Sequence, residues 1–105
     1  MYARVTSGTG DPDRLAKAIR EQVLPAAEKI AGFKGLISLS DRQTGEGFTI
    51  ALWESEEALR KSEEEVNKLR QQAAAASNTT IASVKIYEVI AATGVAAPVG
   101  AGTAR

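Results

Sequence analysis

The chain has 105 residues, with 13 basic and 13 acidic side chains and with neither cysteine nor histidine. Its length suits one domain, and its zero net charge disfavours a protein that binds nucleic acid or anionic membranes. The two missing residue types exclude disulfides, thiolate and imidazole catalysis, and the metal and haem sites that depend on those side chains, so we expect no metal and no cofactor.

The first third of the chain predicts a strand followed by a bent helix. Residues 2–7 are β-prone and end in a run of turn formers. Between residues 13 and 31 the apolar positions recur every three or four residues, which is typical of one helical face. Pro25 lies inside this span and lacks the N–H that an α-helix requires, so we expect a kink or break near Leu24. Gly32 is then predicted to end the helix.

The middle of the chain predicts two strands joined by a glycine-containing hairpin loop. Residues 36–41 alternate apolar and serine side chains, as expected for a strand with one buried face. Residues 48–53 are apolar on both faces, with Phe48 on one side and Trp53 on the other.

The remaining elements complete an α+β domain. Ser55 is a good N-cap, and the helix that follows is predicted to run without a break to about Ala76. Residues 81–90 alternate as a last strand. The order strand, helix, strand, strand, helix, strand over residues 1–90 predicts a ferredoxin-like fold, an antiparallel sheet with helices on one face. Residues 91–105 show no periodicity and are predicted to be a disordered or extended tail.

Two further expectations concern the surroundings of this domain. Helices cover one face of a ferredoxin-like sheet, whereas residues 48–53 are apolar on both faces, so we expect a second copy of the chain to cover the other face. The N-terminal residues lack the apolar core of a signal peptide, and no apolar run approaches membrane-spanning length. We therefore expect a cytoplasmic homodimer without a membrane partner.

Three side chains are candidate site residues because of their type and position alone. Trp53 is the only tryptophan, and it is either a core or interface residue or the wall of a pocket for an aromatic ligand. Arg4 lies in a central strand, where a charge needs a partner, and the candidates are Glu88 and a substrate oxyanion. Ser62 interrupts the apolar stripe of the second helix, either because a small residue lets the helix approach the sheet or because it is a polar group of a pocket.

GLISLSDRQTG at residues 35–45 and ALWESEEAL at residues 51–59 form a distinctive pair of segments. The most specific part is WESE at residues 53–56, the junction between the third strand and the second helix. Together these segments resemble the antibiotic biosynthesis monooxygenase superfamily of dimeric α/β barrels. The resemblance extends over nearly all of residues 1–90.

The resemblance implies a pocket between the sheet and the helices, closed by the sheet of a partner subunit. Some members oxidise aromatic polyketides with molecular oxygen and no cofactor, because the deprotonated substrate supplies the electrons. Haem-degrading members hold iron through a histidine, which this chain lacks. The resemblance therefore predicts a cofactor-independent monooxygenase that acts on an aromatic or polyketide-like small molecule. The alternative is a dimeric ligand-binding or stress-responsive protein of the same fold without turnover.

The predicted site has a catalytic and a substrate-binding part. The catalytic set is Trp53, Asn67 and Tyr87: the resemblance implies an active-site asparagine, and a tyrosine hydroxyl can donate a proton to a ligand. The substrate-binding set consists of Arg4, Trp53, Ser62 and Val66. The structural alternatives are that Asn67 is solvated and that Tyr87 packs with its hydroxyl at the rim.

An RNA-recognition motif has the same order of elements. Its third-strand signature is matched within residues 46–53 by a glycine, Phe48 and Trp53, but Glu46 stands at the basic position and Ile50 replaces the central aromatic residue. Because the net charge is also zero, the chain is predicted not to bind nucleic acid.

Overall fold

The structure is a computed structural model that describes residues 1–94. The elements run along the chain in this order: β1 (Tyr2–Thr9), α1 (Pro12–Ala18), a π-helical turn (Ile19–Val23), α2 (Leu24–Ala27), β2 (Phe33–Ser40), β3 (Glu46–Trp53), α3 (Glu56–Lys61), α4 (Glu63–Ser77) and β4 (Thr80–Glu88). Most of the predicted tail, residues 91–105, lies outside the described residues, so its state stays a prediction. None of the helices within residues 1–94 is both long enough and apolar enough to span a membrane.

The four strands form one antiparallel sheet in the order β2-β3-β1-β4. β1 lies in the centre, so that Arg4 stands opposite Ala51 of β3 on one side and Ile86 of β4 on the other. The helices pack on one face of this sheet, the helix face. The predicted α+β, ferredoxin-like fold is therefore confirmed.

The predicted interruption of the first helix near Leu24 is confirmed, but the helix ends sooner than predicted. The helix widens into a π turn at Ile19–Val23, where the N–H of Leu24 bonds to the carbonyl five residues back instead of four. Pro25 has no N–H to continue a regular α-helix at this point. The helix ends at Ala27, and Gly32 lies beyond it in a turn with φ +88°, a backbone conformation that favours glycine.

The second helix begins as predicted and is then interrupted. Ser55 caps it, and its Oγ accepts a hydrogen bond from the N–H of Ala58 at 3.1 Å. At Ser62 the helix breaks and continues as α4. The Leu59 carbonyl accepts hydrogen bonds from the Ser62 hydroxyl (2.7 Å) and from Arg4 Nη2 (2.9 Å), and side-chain bonds of this kind compete with the backbone bonds of a helix. The prediction of one unbroken helix is therefore wrong.

The two faces of the sheet differ in their cover. Trp53 and Leu36 are buried on the helix face. The opposite face, here called the open face, carries Leu39, Phe48 and Tyr87, which are 50%, 51% and 51% exposed. Leu39 stands directly opposite Phe48, and the alternation of side chains along the paired strands places Tyr87 on the same side. The expectation that β3 is apolar on both sides is thus confirmed.

Candidate ligand cavity

An apolar cavity lies between the helix face of the sheet and the helices. Its volume is about 90 Å³. Leu36 and Trp53 of the sheet, Ile19 and Val23 of the first helical segment, and Leu69 of α4 contribute to its walls. Ile19 and Val23 are the first and last residues of the π turn, and such turns are frequent at functional sites. The distorted part of the first helix thus forms part of the cavity wall.

Trp53 is at once a core residue and a wall of the cavity. Its side chain is 1% exposed and makes a T-shaped contact with Phe33, with ring centroids 5.4 Å apart and an angle of 68° between the ring planes. The guanidinium carbon of Arg4 lies 5.6 Å from the centroid of the indole ring, within the range of a cation–π interaction. The two interpretations of Trp53, as a packing residue and as a pocket wall, are therefore compatible.

Arg4 is buried, with 2% of its surface exposed, and its charge is paired across the fold. Its Nη2 donates to Glu63 Oε1 at 2.8 Å and to the Leu59 carbonyl at 2.9 Å, and Ser62 Oγ lies 3.4 Å away. These contacts hold the guanidinium at the junction between α3 and α4. Glu63 is therefore the carboxylate partner that a charge in a central strand requires.

Glu88 is not the partner of Arg4, which corrects one of the two predictions for this charge. In the sheet Glu88 lies opposite Tyr2, whereas Arg4 lies opposite Ile86. The Arg4 side chain extends away from its strand to the beginning of α4, where Glu63 is the first helical residue. A substrate oxyanion, the other predicted partner, stays a prediction for the donors of Arg4 that Glu63 does not use.

Four buried nitrogen donors lack a hydrogen-bond partner within residues 1–94: Arg4 Nε and Nη1, Trp53 Nε1 and Arg70 Nη1. The three side chains that carry these donors all line the cavity. A buried donor left unpaired costs about 1–3 kcal/mol, and more when it is charged. These nitrogens are themselves buried, so a ligand in the cavity would form hydrogen bonds with them only after neighbouring side chains move.

Positive charge predominates around the cavity. Arg70 Nη2 donates to Asn67 Oδ1 at 2.8 Å, and in the described part of the chain Arg70 forms no ion pair. Burial and the positive charge of Arg4 lower the pKa of Arg70, which Glu63 partly opposes. An arginine nevertheless keeps its charge at neutral pH. Two guanidinium groups therefore accompany one carboxylate, Glu63, whose side chain is 51% exposed.

Comparison with known sequences finds relatives that are much longer than the stretch they share with this chain. No protein-family model matches the chain. Two uncharacterised proteins of Mycobacterium tuberculosis are similar to it over 77 residues, 70% of this chain: Rv2558 with 38% identity and Rv2557 with 32%. That stretch is 33% of Rv2558 and 34% of Rv2557, so the chain spans about a third of the length of the curated relatives it matches.

Solved structures match the fold over most of the chain. SnoaB, a cofactor-independent oxygenase from Streptomyces nogalater, has a TM-score of 0.68 at 18% identity, covering 89% of this chain and 96% of its own. The monooxygenase ActVA-Orf6 of Streptomyces coelicolor, in complex with nanaomycin D, has a TM-score of 0.65 at 17% identity, covering 88% and 89%. The haem degrader MhuD of M. tuberculosis, with two haems in its active site, has a TM-score of 0.65 at 24% identity, covering 90% and 100%. The chain has the fold of the antibiotic biosynthesis monooxygenases.

Within this monooxygenase fold, four of the six predicted site residues lie together. Arg4, Trp53 and Val66 line the cavity. Ser62 does not line it, but it is buried, and its Oγ lies 3.4 Å from Arg4 Nη2. Its hydroxyl donates to the Leu59 carbonyl, so Ser62 supports the helix break that holds Arg4. The substrate-binding roles of these four residues stay predictions.

The other two predicted residues lie apart from the cavity. Asn67 is exposed on α4 and accepts a hydrogen bond from Arg70. Tyr87 is half-exposed and pairs with Ala3 of β1. Paired residues point to the same side of a sheet, and Ala3 points to the side opposite to Arg4, so Tyr87 lies on the open face. The predicted catalytic roles of these two residues therefore depend on contacts beyond the cavity, through Arg70 for Asn67 and through a second copy of the chain for Tyr87.

Arg70 is the charged cavity residue that sequence reasoning missed. It follows Val66 by four residues and precedes Ala73 by three, so it lies on the buried stripe of α4 together with those two side chains. A charge on an apolar helical stripe needs a partner when it is buried. The position of Arg70 on this stripe was therefore a usable signal. It is missed when only the apolar residues of the stripe are considered.

The partial match to an RNA-recognition motif lacks the required geometry. Phe48 lies on the open face, whereas Trp53 is buried on the helix face. The aromatic side chains that stack RNA bases stand on one surface of the sheet. These two residues therefore do not form one stacking surface.

Proposed function

We propose that the chain is a cofactor-independent monooxygenase that acts on an aromatic or polyketide-like small molecule bound in the cavity. The observation that carries the proposal is an apolar cavity lined by side chains with unpaired donors, those of Arg4, Trp53 and Arg70. The fold supports it, because SnoaB, a structure of the same fold, is a cofactor-independent oxygenase.

The proposed chemistry requires a substrate that can lose a proton from carbon. An activated ring CH₂ group, once ionised, passes electrons to molecular oxygen and becomes a carbonyl; one oxygen atom stays in the product and the other leaves as water. The substrate supplies all the electrons in this reaction. The protein stabilises the substrate anion and keeps bulk water away. Arg4 and Arg70 would provide the first effect and the apolar walls the second.

Oxygen uptake tests this proposal. With an anthrone, an aromatic ketone that has an activated ring CH₂ group, the protein is expected to consume oxygen faster than heat-denatured protein does and to form the quinone. Trp53→Phe retains an aromatic ring against Phe33 and removes the indole donor, so we expect it to lower kcat by about tenfold or more, as for other donors to a developing anion. Circular dichroism checks that the variant is folded. A wild-type rate equal to that of the denatured protein would contradict the proposal.

A non-catalytic, ligand-binding or stress-responsive protein is the second candidate, and one observation favours it. Among the described residues, the cavity wall contains no Asp, Glu, Tyr or Lys side chain that could accept the proton of a substrate. Turnover therefore requires a substrate that ionises readily by itself. Under this alternative a ligand quenches or shifts the fluorescence of Trp53, and oxygen uptake stays at the spontaneous rate.

We further propose that the working unit is a homodimer closed across the open face. Leu39, Phe48 and Tyr87 expose apolar surface from three strands on one face, and large exposed apolar patches mark interaction sites. A second copy on this face would also bring Tyr87 into contact with protein. The resemblance to dimeric α/β barrels supports the same arrangement.

A further inference from the structure

We infer that the cavity binds a small aromatic acid, with one ring between the apolar walls and a carboxylate held by Arg4 and Arg70. The inference rests on the proposed function for its site and names the chemical class of the ligand. It concerns binding, and it holds whether or not the bound molecule is turned over.

The charges around the cavity favour an anion. Arg4 and Arg70 both line it, and Glu63 is the carboxylate that pairs with Arg4. Glu63 contacts only Nη2 of that guanidinium, and it is half-exposed, so solvent screens part of its charge. A ligand with one negative charge balances the second guanidinium.

The unpaired donors are complementary to a carboxylate. Four nitrogen donors of Arg4, Trp53 and Arg70 have no partner in the part of the chain that the structure describes. An ionised carboxylate has two oxygens with about four acceptor sites and no donor. The amide of the same shape replaces one oxygen by an NH₂ group, which offers further donors where acceptors are needed. We therefore expect the cavity to discriminate between an acid and its amide.

The volume limits the apolar part of the ligand to about one ring. The cavity measures about 90 Å³, whereas an engineered apolar cavity of about 150 Å³ binds benzene and pockets for larger ligands measure roughly 300–1,000 Å³. A single ring would require side chains such as Val66 and Leu69, which line the cavity, to move outward. A polycyclic skeleton would enter with one of its rings only.

The walls also distinguish an aromatic acid from an inorganic anion. Leu36, Ile19 and Leu69 are aliphatic and offer no hydrogen bonds to an oxyanion. Phosphate would lose hydration on all sides and recover bonds only from the arginine and tryptophan donors, which is unfavourable for a strongly hydrated ion. A benzoate-like molecule places its ring against the aliphatic walls and only its carboxylate among the donors.

Trp53 provides the readout for a binding experiment. It is the only tryptophan of the chain and lies in the cavity wall, so its fluorescence reports occupancy. Titrations at neutral pH with benzoate, benzamide and inorganic phosphate, repeated by calorimetry, compare the acid with its neutral isostere and with an inorganic anion. We expect benzoate to bind at least about tenfold more tightly than benzamide, and phosphate to bind more weakly than benzoate.

Arg70→Gln isolates the contribution of the charge. It is expected to weaken benzoate binding by about tenfold and to change benzamide binding by less than about twofold. Arg70→Lys keeps a positive charge and should retain part of the preference for the acid. Arg60→Gln makes the same change of charge at an exposed position of α3 outside the cavity wall and should alter neither affinity. Circular dichroism verifies the fold of each variant.

Three results would overturn the inference: equal affinities for benzoate and benzamide, no binding of benzoate at millimolar concentration, or an undiminished preference in Arg70→Gln. Oxygen uptake from an anthrone is measured separately. Benzoate binding without oxygen uptake contradicts the proposed monooxygenase and supports the inference. Oxygen uptake without a preference for benzoate supports the proposed monooxygenase and contradicts the inference.

Discussion

Arg4 joins the central strand to the junction between α3 and α4. Its guanidinium is anchored on the Leu59 carbonyl and on Glu63, at the point where one helix ends and the next begins. Because the side chain is buried, its charge would cost several kcal/mol without a partner. The break in the second helix and the position of the guanidinium in the cavity wall therefore depend on each other.

Glu63→Gln tests this connection. It removes the counter-charge of a buried guanidinium, but the carboxylate is half-exposed, so we expect a loss of about 1–2 kcal/mol in the free energy of unfolding. The control, Glu64→Gln, removes a carboxylate that has no ion pair within residues 1–94, and should change stability by about 0.5 kcal/mol or less. Urea denaturation followed by Trp53 fluorescence measures both. Equal losses in the two variants would show that the pair with Arg4 contributes nothing specific.

The two interruptions among the helices have different causes. Pro25 acts locally, since it removes one backbone donor from its own helix, and the π turn that precedes it carries two cavity residues, Ile19 and Val23. The break at Ser62 involves Arg4, which is 58 positions away in the sequence. The first interruption follows from a short stretch of chain, whereas the second requires the packed sheet.

The hairpin loop between β2 and β3 is connected to the start of α1. Arg42 donates to both carboxylate oxygens of Asp13, at 3.0 and 3.2 Å. Both side chains are exposed, so the pair is open to solvent. The hydrogen bond from Arg42 and its positive charge lower the pKa of Asp13.

Arg42→Gln is expected to raise the pKa of Asp13 toward its ordinary value of 3.8. A carboxyl group whose pKa is lower in the folded state stabilises the fold above its unfolded-state pKa, and this contribution is lost as the pH falls through the folded-state pKa. The wild type should therefore lose more stability than Arg42→Gln as the pH falls from the unfolded-state pKa of Asp13 to its folded-state pKa. NMR titration of the Asp13 carboxyl carbon measures the pKa, with Arg20→Gln as a control. An Asp13 titration unchanged by Arg42→Gln would rule out the pair in solution.

Within residues 1–94, the open face of the sheet carries the half-exposed side chains of Leu39, Phe48 and Tyr87, whereas Ala3 and Leu52 on the same face are buried. A chain of this size buries a limited fraction of its surface, and association with a second copy is a common supplement. Leu39 and Tyr87 belong to the two outer strands, β2 and β4, and Phe48 belongs to β3, one of the two inner strands. In a dimer with twofold symmetry, the same face of each copy would form the interface.

Phe48→Glu tests the proposed dimer. A charge buried in an apolar interface is not compensated, so we expect the variant to be monomeric at micromolar concentration, where the wild type is dimeric. Val84→Glu is the matched control: Val84 is also partly exposed, but it pairs with Thr6 and lies on the helix face. Light scattering coupled to size-exclusion chromatography measures the mass. A monomeric wild type, or dissociation by both substitutions alike, would contradict a dimer closed across the open face.

The elements of the fold could largely be predicted from the sequence, because the signals are local. Alternating side chains predicted the strands, Ser55 predicted the start of the second helix, and Pro25 predicted a distortion of the first. The error in the second helix lies where a contact from elsewhere intervenes. Ser62 breaks the second helix because Arg4 and Ser62 both bond to the Leu59 carbonyl, and the local sequence around Ser62 does not show this.

The candidate site, like the fold, was determined partly by the sequence and partly by contacts between distant residues. The sequence alone determined that Trp53 and Arg4 needed surroundings of a particular kind, because a lone indole and a charge in a central strand each have a known physical requirement. The tertiary structure decided which residues provide those surroundings: Glu63 as the partner of Arg4, and Arg70 as a second guanidinium on the same cavity. Arg4 and Glu63 are 59 positions apart, and only the packing of the helices on the sheet brings such distant side chains within hydrogen-bonding distance.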